Sequence, residues 1–341
     1  MNSMKLSGSL HLWVGVPLAL YALIMGATGT ILMFRDTIHA WEHPELYSGP
    51  VAERVGDVDA MFAGVKAKYE GWNALSMTWP HEGTPFGTVF VTKGDQSREV
   101  FFRMDTGAIV GERNPKASLV FVPERIHNNW FWGRNGRLLN GYGAIGMILL
   151  SITGLVLVWP RIRKIGWRTN RDWHYAAGLA SYAFILLVSV CAPLFTWRPA
   201  YVEVAKWLGQ RPVVTLPPGD AKTTLTLGEL VRRAEAALPG KPIQRAPMPN
   251  PKAPYRVAFR EDRFAAFHKV SHVVLDPRDG KVLAVERLEE RGAGDSFLAW
   301  MVALHFGNYA GRPGEWVYAF LSALLASLGP TGFLIWWRKR R

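Results

Sequence analysis

Four of the nine histidines in this 341-residue chain carry the pattern best suited to chemistry. His11 and His174 each open a long apolar stretch, and each is followed four residues later by a glycine, Gly15 and Gly178. Residues spaced i and i+4 share a helical face, so a bare patch of backbone lies one turn from each imidazole. His127 and His305 each precede a further apolar stretch. A neutral imidazole offers a nitrogen lone pair, and two that face each other can ligate one metal ion from opposite sides. That is the axial requirement of a b-type haem iron, and the glycines leave room for the porphyrin plane. The competing reading is that histidines at a membrane surface merely hydrogen-bond headgroups, although ionisable groups within spanning segments lean towards function.

Apolar helices have to carry these residues. Four uncharged stretches reach the roughly 20 residues that a helix needs to cross a bilayer. They run from His11 to Phe34, from Leu138 to Pro160, between Asp172 and Arg198, and between Glu315 and Arg338. The first exceeds the roughly 7–15-residue apolar core of a signal peptide, so it is expected as a retained helix. Many of the 15 tryptophans stand at the ends of these runs, where amphipathic rings favour the headgroup region. The one cysteine, Cys191, excludes an internal disulfide, a Cys-rich zinc site and covalent c-type haem attachment. A net charge of +13 raises nucleic acid as a partner, but its distribution argues for none. Arg161, Arg163, Lys164, Arg168 and Arg171 crowd one short connection, and Arg338, Lys339, Arg340 and Arg341 form the tail. Such clusters mark cytoplasmic loops. Both termini are therefore expected inside, and the long connections 36–137 and 199–315 outside.

The sequence also repeats itself. With His127 placed over His305, an offset of 178, Gly133-Arg134 falls on Gly311-Arg312, Gly136 on Gly314, Thr153-Gly154 on Thr331-Gly332 and Trp159 on Trp337. With His11 placed over His174, an offset of 163, Gly15 meets Gly178, and Phe34-Arg35 meets Trp197-Arg198. Between these helices, Phe101 to Val110 resembles Val274 to Leu283, each an apolar strand, a polar turn closed by Gly107 or Gly280, and a second strand. That is the signature of a hairpin. Tandem duplication of a helix–domain–helix unit follows, with both copies crossing the membrane in the same direction. Equivalent histidines then face each other at a common depth, His11 opposite His174 and His127 opposite His305. A straight helix would hold His127 roughly 20 Å above the apolar core. Gly133 and Gly136 offer a break that folds this segment back as an interfacial helix.

Other patterns carry less. Thr153-Gly154 and Thr331-Gly332 read as small residues that let helices approach closely. Arg35 and Arg198, at the outer ends of helices, serve either as interfacial anchors or as cations for haem propionates; Arg134 and Arg312 have the same two options, or attract an anionic substrate. His39 and His43, spaced i, i+4 before Pro44, form a metal pair or alternative outer ligands on one reading, but have no counterpart in the second copy. His268 and His272 read as strand histidines, packed or solvated, and His81 carries no pattern. No phosphate-binding loop, dinucleotide fingerprint or nucleophile motif appears, so no catalytic residue is assigned. The cytoplasmic segments are too short for a flavin or nicotinamide domain, and the electron donor must be a separate cytoplasmic reductase or a membrane quinol.

The motifs His11-x3-Gly15, Leu-His127 through Gly133 and Gly136, Thr153-Gly154 through Trp159-Pro160-Arg161, and their second copies together resemble the PepSY-associated transmembrane family. The hairpins at 101–110 and 274–283 resemble the PepSY module. The resemblance implies a membrane all-α four-helix bundle plus two periplasmic α+β PepSY-like domains. The plan is a helix at 8–35, a PepSY-like domain at 36–126, an interfacial segment and helix at 127–160, and a basic loop at 161–172. A helix at 173–197, a second such domain at 198–300, an interfacial segment and helix at 301–337, and a tail at 338–341 complete it. The family includes iron-regulated inner-membrane proteins and ferrisiderophore reductases that carry haem in the bundle. By that resemblance this chain passes electrons through haem b, two copies, across a bacterial inner membrane to a ferric siderophore in the periplasm. His11 and His174 would ligate the inner iron, and His127 and His305 the outer. The alternative is a non-catalytic membrane-anchored PepSY protein that binds a peptidase or partner subunit.

Overall fold

The computed structural model describes residues 3–219, 223–261 and 268–339; Arg340 and Arg341 of the expected basic tail lie outside them. Along the chain come helices α1 (Ser3–Met33), α2 (Arg35–Glu42), α3 (Pro44–Tyr47) and α4 (Val58–Lys68), then strands β1 (Asn73–Thr78), β2 (Gly87–Lys93), β3 (Gln96–Phe102) and β4 (Ile109–Arg113). Helices α5 (Phe121–Asn129), α6 (Gly133–Val158), α7 (Asn170–Cys191), α8 (Arg198–Trp207) and α9 (Leu227–Ala237) follow. The last elements are β5 (Ile243–Pro247), β6 (Tyr255–Arg260), β7 (Val270–Leu275), β8 (Val282–Glu286), α10 (Ala293–Phe306) and α11 (Gly311–Arg338). The chain forms two compact units, 1–35 with 119–205 and 297–341, and 36–118 with 206–296.

The first unit is a four-helix bundle. Each of its four spans, Met4–Met33, Gly133–Lys164, Asn170–Phe195 and Asn308–Arg338, is long and apolar enough to cross a membrane. The helices pack in a ring in which α1 meets α6 and α11, and α7 meets the same two. Between α1 and α11 the backbones nearly touch. A Cβ added at Gly26 would overlap the Ala326 backbone, and one at Gly329 the Ala19 carbonyl, the close approach that glycine allows between membrane helices. Ala22, Met147, Phe184, Ile185, Tyr318 and Leu325 fill the centre of the ring. Apolar side chains such as Trp13, Leu20, Tyr142 and Phe320 point outwards, more than 60% exposed, as a lipid-facing surface demands. Thr169 starts α7 with a reciprocal capping box to Asp172, which satisfies two donors at the helix end.

The second unit holds one antiparallel sheet of eight strands, in the order β4-β3-β2-β1-β5-β6-β7-β8. The segments 36–126 and 198–300, expected as separate domains, thus contribute four strands each to one sheet. They join where β1 pairs with β5, Met77 opposite Ala246. The physical reason is the edge: alone, either half would leave its β1 or β5 backbone unpaired, and the pairing closes both. Both expected hairpins are present, β3–β4 and β7–β8, with Gly107 and Gly280 at φ +72° and +74° in the turns. Both strand pairs also slip register at corresponding positions, Phe101/Phe102 and Val274/Leu275. One core runs across the junction. It packs Met77, Val89, Val100 and Phe102 with Tyr255, Val257, Phe259, Val273 and Leu275, beneath Val65 of α4 and Leu230 of α9. The Asp59 carboxylate on α4 accepts from the Thr226 hydroxyl at 2.7 Å and the Gly228 amide at 2.8 Å, which ties it to the start of α9.

Candidate functional site

His11 sits on α1 and His174 on α7, and the bundle brings their rings together with centroids 6.3 Å apart and planes at 82°. His127 on α5 and His305 on α10 form a second pair, again 6.3 Å apart, with planes at 51°. An imidazole nitrogen bonds a first-row metal at about 2.0 Å and lies about 1.1 Å from its own ring centre, so two imidazoles on opposite sides of one ion have centroids about 6.2 Å apart. Both pairs therefore have the spacing for one iron between two rings.

The hydrogen bonds decide which ring nitrogen could act as a donor to a metal. His11 Nδ1 lies 3.0 Å from Thr153 Oγ1, and His174 Nδ1 lies 3.0 Å from Thr331 Oγ1. Each hydroxyl donates its only proton to a backbone carbonyl one turn back, Leu149 or Ser327, at 2.7 Å. Towards the imidazole it can then only accept, so Nδ1 carries the proton and Nε2 keeps its lone pair. Thr28 repeats the device at the other pair. Its Oγ1 donates to the Ile24 carbonyl at 2.7 Å and meets His127 Nδ1 at 2.9 Å. His305 Nδ1 instead faces the Val188 carbonyl at 3.3 Å. A metal-ligating histidine characteristically uses its second nitrogen in this way, which fixes the tautomer and the ring orientation.

The glycines divide into two kinds. A Cβ at Gly154 would lie 3.2 Å from His11 Cε1, and one at Gly332 would lie 3.0 Å from His174 Cε1. The Thr-Gly pairs, expected only to admit a neighbouring helix, are in fact the seats of the two imidazoles, with threonine as the acceptor and glycine as the space. The sequence missed this because it cannot show which helix faces which. Gly15 and Gly178 differ. A Cβ there would meet only Leu150 Cδ2 at 3.5 Å and Leu328 Cδ2 at 3.8 Å, ordinary contact distances. Among the described residues no backbone or imidazole crowds these positions, so the face one turn from each imidazole is bare enough to admit a flat ring such as a haem.

The second pair depends on sharp turns. Between α5 and α6, Trp130, Phe131 and Gly133 have φ of 55°, 57° and 53°, and between α10 and α11, Gly307 and Gly311 have 70° and 60°. These left-handed residues fold the histidine helices back, so that His127 reaches Thr28 on α1. A Cβ at Gly136 would overlap the Asn129 carbonyl, so only glycine closes the first turn. Side chains on the following helices pin the result. Asn140 Nδ2 donates to the His127 carbonyl at 2.6 Å, and its Oδ1 accepts from Trp130 Nε1 at 2.7 Å. At the corresponding position Tyr318 donates its hydroxyl to the Leu304 carbonyl at 2.7 Å. Along α1, His11 and Thr28 are 17 residues apart, a rise of about 25 Å. The two pairs thus stand at opposite ends of spans that match a bilayer core of about 30 Å.

Arg35, Arg134, Arg198 and Arg312 have exposed side chains near helix starts, as an interfacial anchor or a cation for a haem propionate both require. His39 and His43 do not act as a pair: His39 is buried against Ser118 Oγ at 3.2 Å and Glu42 at 3.4 Å, whereas His43 lies near Glu45. Among the described residues no group of three or more His, Cys, Asp or Glu side chains is placed to hold a metal. His272 lies on β7, where burial, then Arg256 and Arg291, push its pKa down to about 4. His268 is buried near the start of the same strand.

These features define a membrane protein: a four-helix bundle with two imidazole pairs, joined to an antiparallel sheet unit. The family described as the PepSY-associated TM region matches residues 9–339, and the chain belongs to that family. No curated protein sequence matches it significantly.

Proposed function

We propose that this chain is a tandemly duplicated haem oxidoreductase of the bacterial inner membrane, holding one b-type haem between His11 and His174 and a second between His127 and His305. The observation that carries the reading is the repeated 6.3 Å imidazole pair, with Nδ1 engaged and Nε2 left as the donor atom. Haem, when bound, supplies a one-electron Fe(III)/Fe(II) couple at each pair. The protein's part is to hold and insulate. Thr153, Thr331 and Thr28 orient the ligands, while Ala22, Met147, Phe184, Ile185 and Leu325 keep water from the layer between the pairs. The basic connection after α6 favours a cytoplasmic His11/His174 end, with segments 36–126 and 198–300 in the periplasm. Electrons would enter from a cytoplasmic reductase or a membrane quinol and leave to a periplasmic ferric siderophore. Siderophores of hard oxygen donors hold Fe(III) far better than Fe(II), so one electron is enough to release ferrous iron.

The test is an absorption spectrum of detergent-solubilised protein from haem-replete cells, before and after dithionite. A Soret band and sharp α and β bands on reduction, lost in part in His11→Ala or His174→Ala, are the expected result. Colourless protein would overturn the reading and favour a binding role for the sheet unit.

A further inference from the structure

We infer that Thr28 and Cys191 make the two ends of the bundle electronically unequal, so that the His127/His305 site is the more easily reduced of the two. The inference rests on the haem reading above. At the His11/His174 end the two halves agree: Thr153 and Thr331 occupy matching positions of the repeat, and each accepts from its imidazole at 3.0 Å. At the other end the agreement stops. The offset of 163 that relates His11 to His174 carries Thr28 onto Cys191. The backbone acceptor does correspond, since the Met25 carbonyl faces the His127 ring and its counterpart in the repeat, the Val188 carbonyl, faces His305. What His305 lacks is the hydroxyl. Cys191 Sγ is turned to Met301 Sδ at 3.8 Å instead.

The bond that remains to His305 is a weak one. It is 3.3 Å long, and the same Val188 carbonyl already accepts the amide of Ala192. Phe195 and Phe306 flank the ring, with centroids at 5.1 Å and 5.9 Å. By contrast each threonine hydroxyl donates onward to a carbonyl at 2.7 Å, and such chains strengthen an oxygen as an acceptor. An acceptor on Nδ1–H raises the donor strength of Nε2 and favours the more oxidised metal. Three of the four imidazoles therefore have strong support, and His305 has the least. The site that contains His305 holds the reduced state better, and an electron runs downhill from the His11/His174 end.

Redox titration of the full-length holoprotein, followed in the α band, tests this. Two one-electron waves are expected, and single-ligand variants assign the more positive one to His127/His305. Cys191→Thr supplies the missing hydroxyl and should move that wave to more negative potential by about tenfold in the oxidised-to-reduced ratio, which is about 59 mV for one electron. Thr28→Val should move the same wave the other way and keeps the test open if Cys191→Thr does not fold; Thr153→Val should raise only the other wave. Coloured protein whose waves stay put in both Cys191→Thr and Thr28→Val, or whose more positive wave belongs to His11/His174, overturns the inference and leaves the haem assignment intact. Protein without a Soret band overturns the haem assignment itself.

Discussion

The first and second halves of the chain differ in ways that separate what is held constant from what is merely balanced. At His11 and His174 every part matches: the imidazole, the threonine acceptor, the glycine under the ring and the glycine one turn on. In the hairpin turns of the sheet the halves carry opposite charges at matching positions. Arg103 pairs with Asp105 in the first, and Asp276 with Arg278 in the second. An ion pair keeps its function when its members exchange places, whereas a metal ligand has no such substitute. At the helix crossings the halves diverge further, since Gly26 and Gly329 let α1 and α11 nearly touch, whereas the matching positions on α7 and α6 are Ser189 and Ser151. Of the three regions compared, the His11/His174 end repeats most strictly.

The sharpest way to break the comparison is to remove the ligands. His11→Ala or His174→Ala should abolish one haem, about half of the Soret absorbance, and leave the other spectrum in place; His127→Ala or His305→Ala should do the converse. Loss of both haems from one substitution would show that the ends are not separate sites.

The next largest effects belong to the turns that only the second pair needs. Gly136→Ala forces a Cβ into the Asn129 carbonyl, and Gly307→Ala combines φ +70° with a contact 2.7 Å from the Tyr318 ring. Each should cost about 1–3 kcal/mol and deplete the His127/His305 haem first, as read from the ratio of the two redox waves. Gly332→Ala, 3.0 Å from His174 Cε1, should instead perturb only the His11/His174 wave.

A smaller effect separates the two hairpin turns. The hydrogen bond from Arg278 holds the buried Asp276 carboxyl below the usual range, and the bond from Arg103 does the same for the more exposed Asp105. A depressed carboxylate stabilises above its unfolded value of about 3.9, and this is lost as pH falls through the folded value. Arg278→Ala should therefore lower the melting temperature at neutral pH more than Arg103→Ala, with the difference fading in acid. The double exchange Arg103→Asp with Asp105→Arg should melt near the wild-type temperature.

The smallest expected effect is that of His272. Its folded pKa of about 4 lies below the unfolded value of about 6.5, so its contribution is present above pH 6.5 and lost as pH falls towards 4. His272→Gln should flatten that part of the stability profile by about 1–2 kcal/mol, seen as a smaller shift in melting temperature between pH 7 and 5.

Much of this was legible from sequence because it is written in local or periodic terms. The apolar lengths set four spans, and two offsets paired the four histidines before any contact was known. The glycines at 133 and 136 marked a break because a left-handed backbone and close backbone approach are demands that a single residue type meets. The roles of Thr153, Thr331 and Thr28 were not legible, since a threonine inside an apolar helix looks the same whether its hydroxyl faces lipid, backbone or an imidazole. Nor did the repeat foretell that the two soluble segments share one sheet. Pairing β1 with β5 depends on two edges meeting from opposite halves of the chain, with α6 and α7 between them in sequence, and no local pattern records it. Tertiary structure alone decided the 6.3 Å spacing of the imidazoles and the acceptor each one received. Those depend on how four helices pack, and packing is a property of faces in contact rather than of any one stretch of sequence.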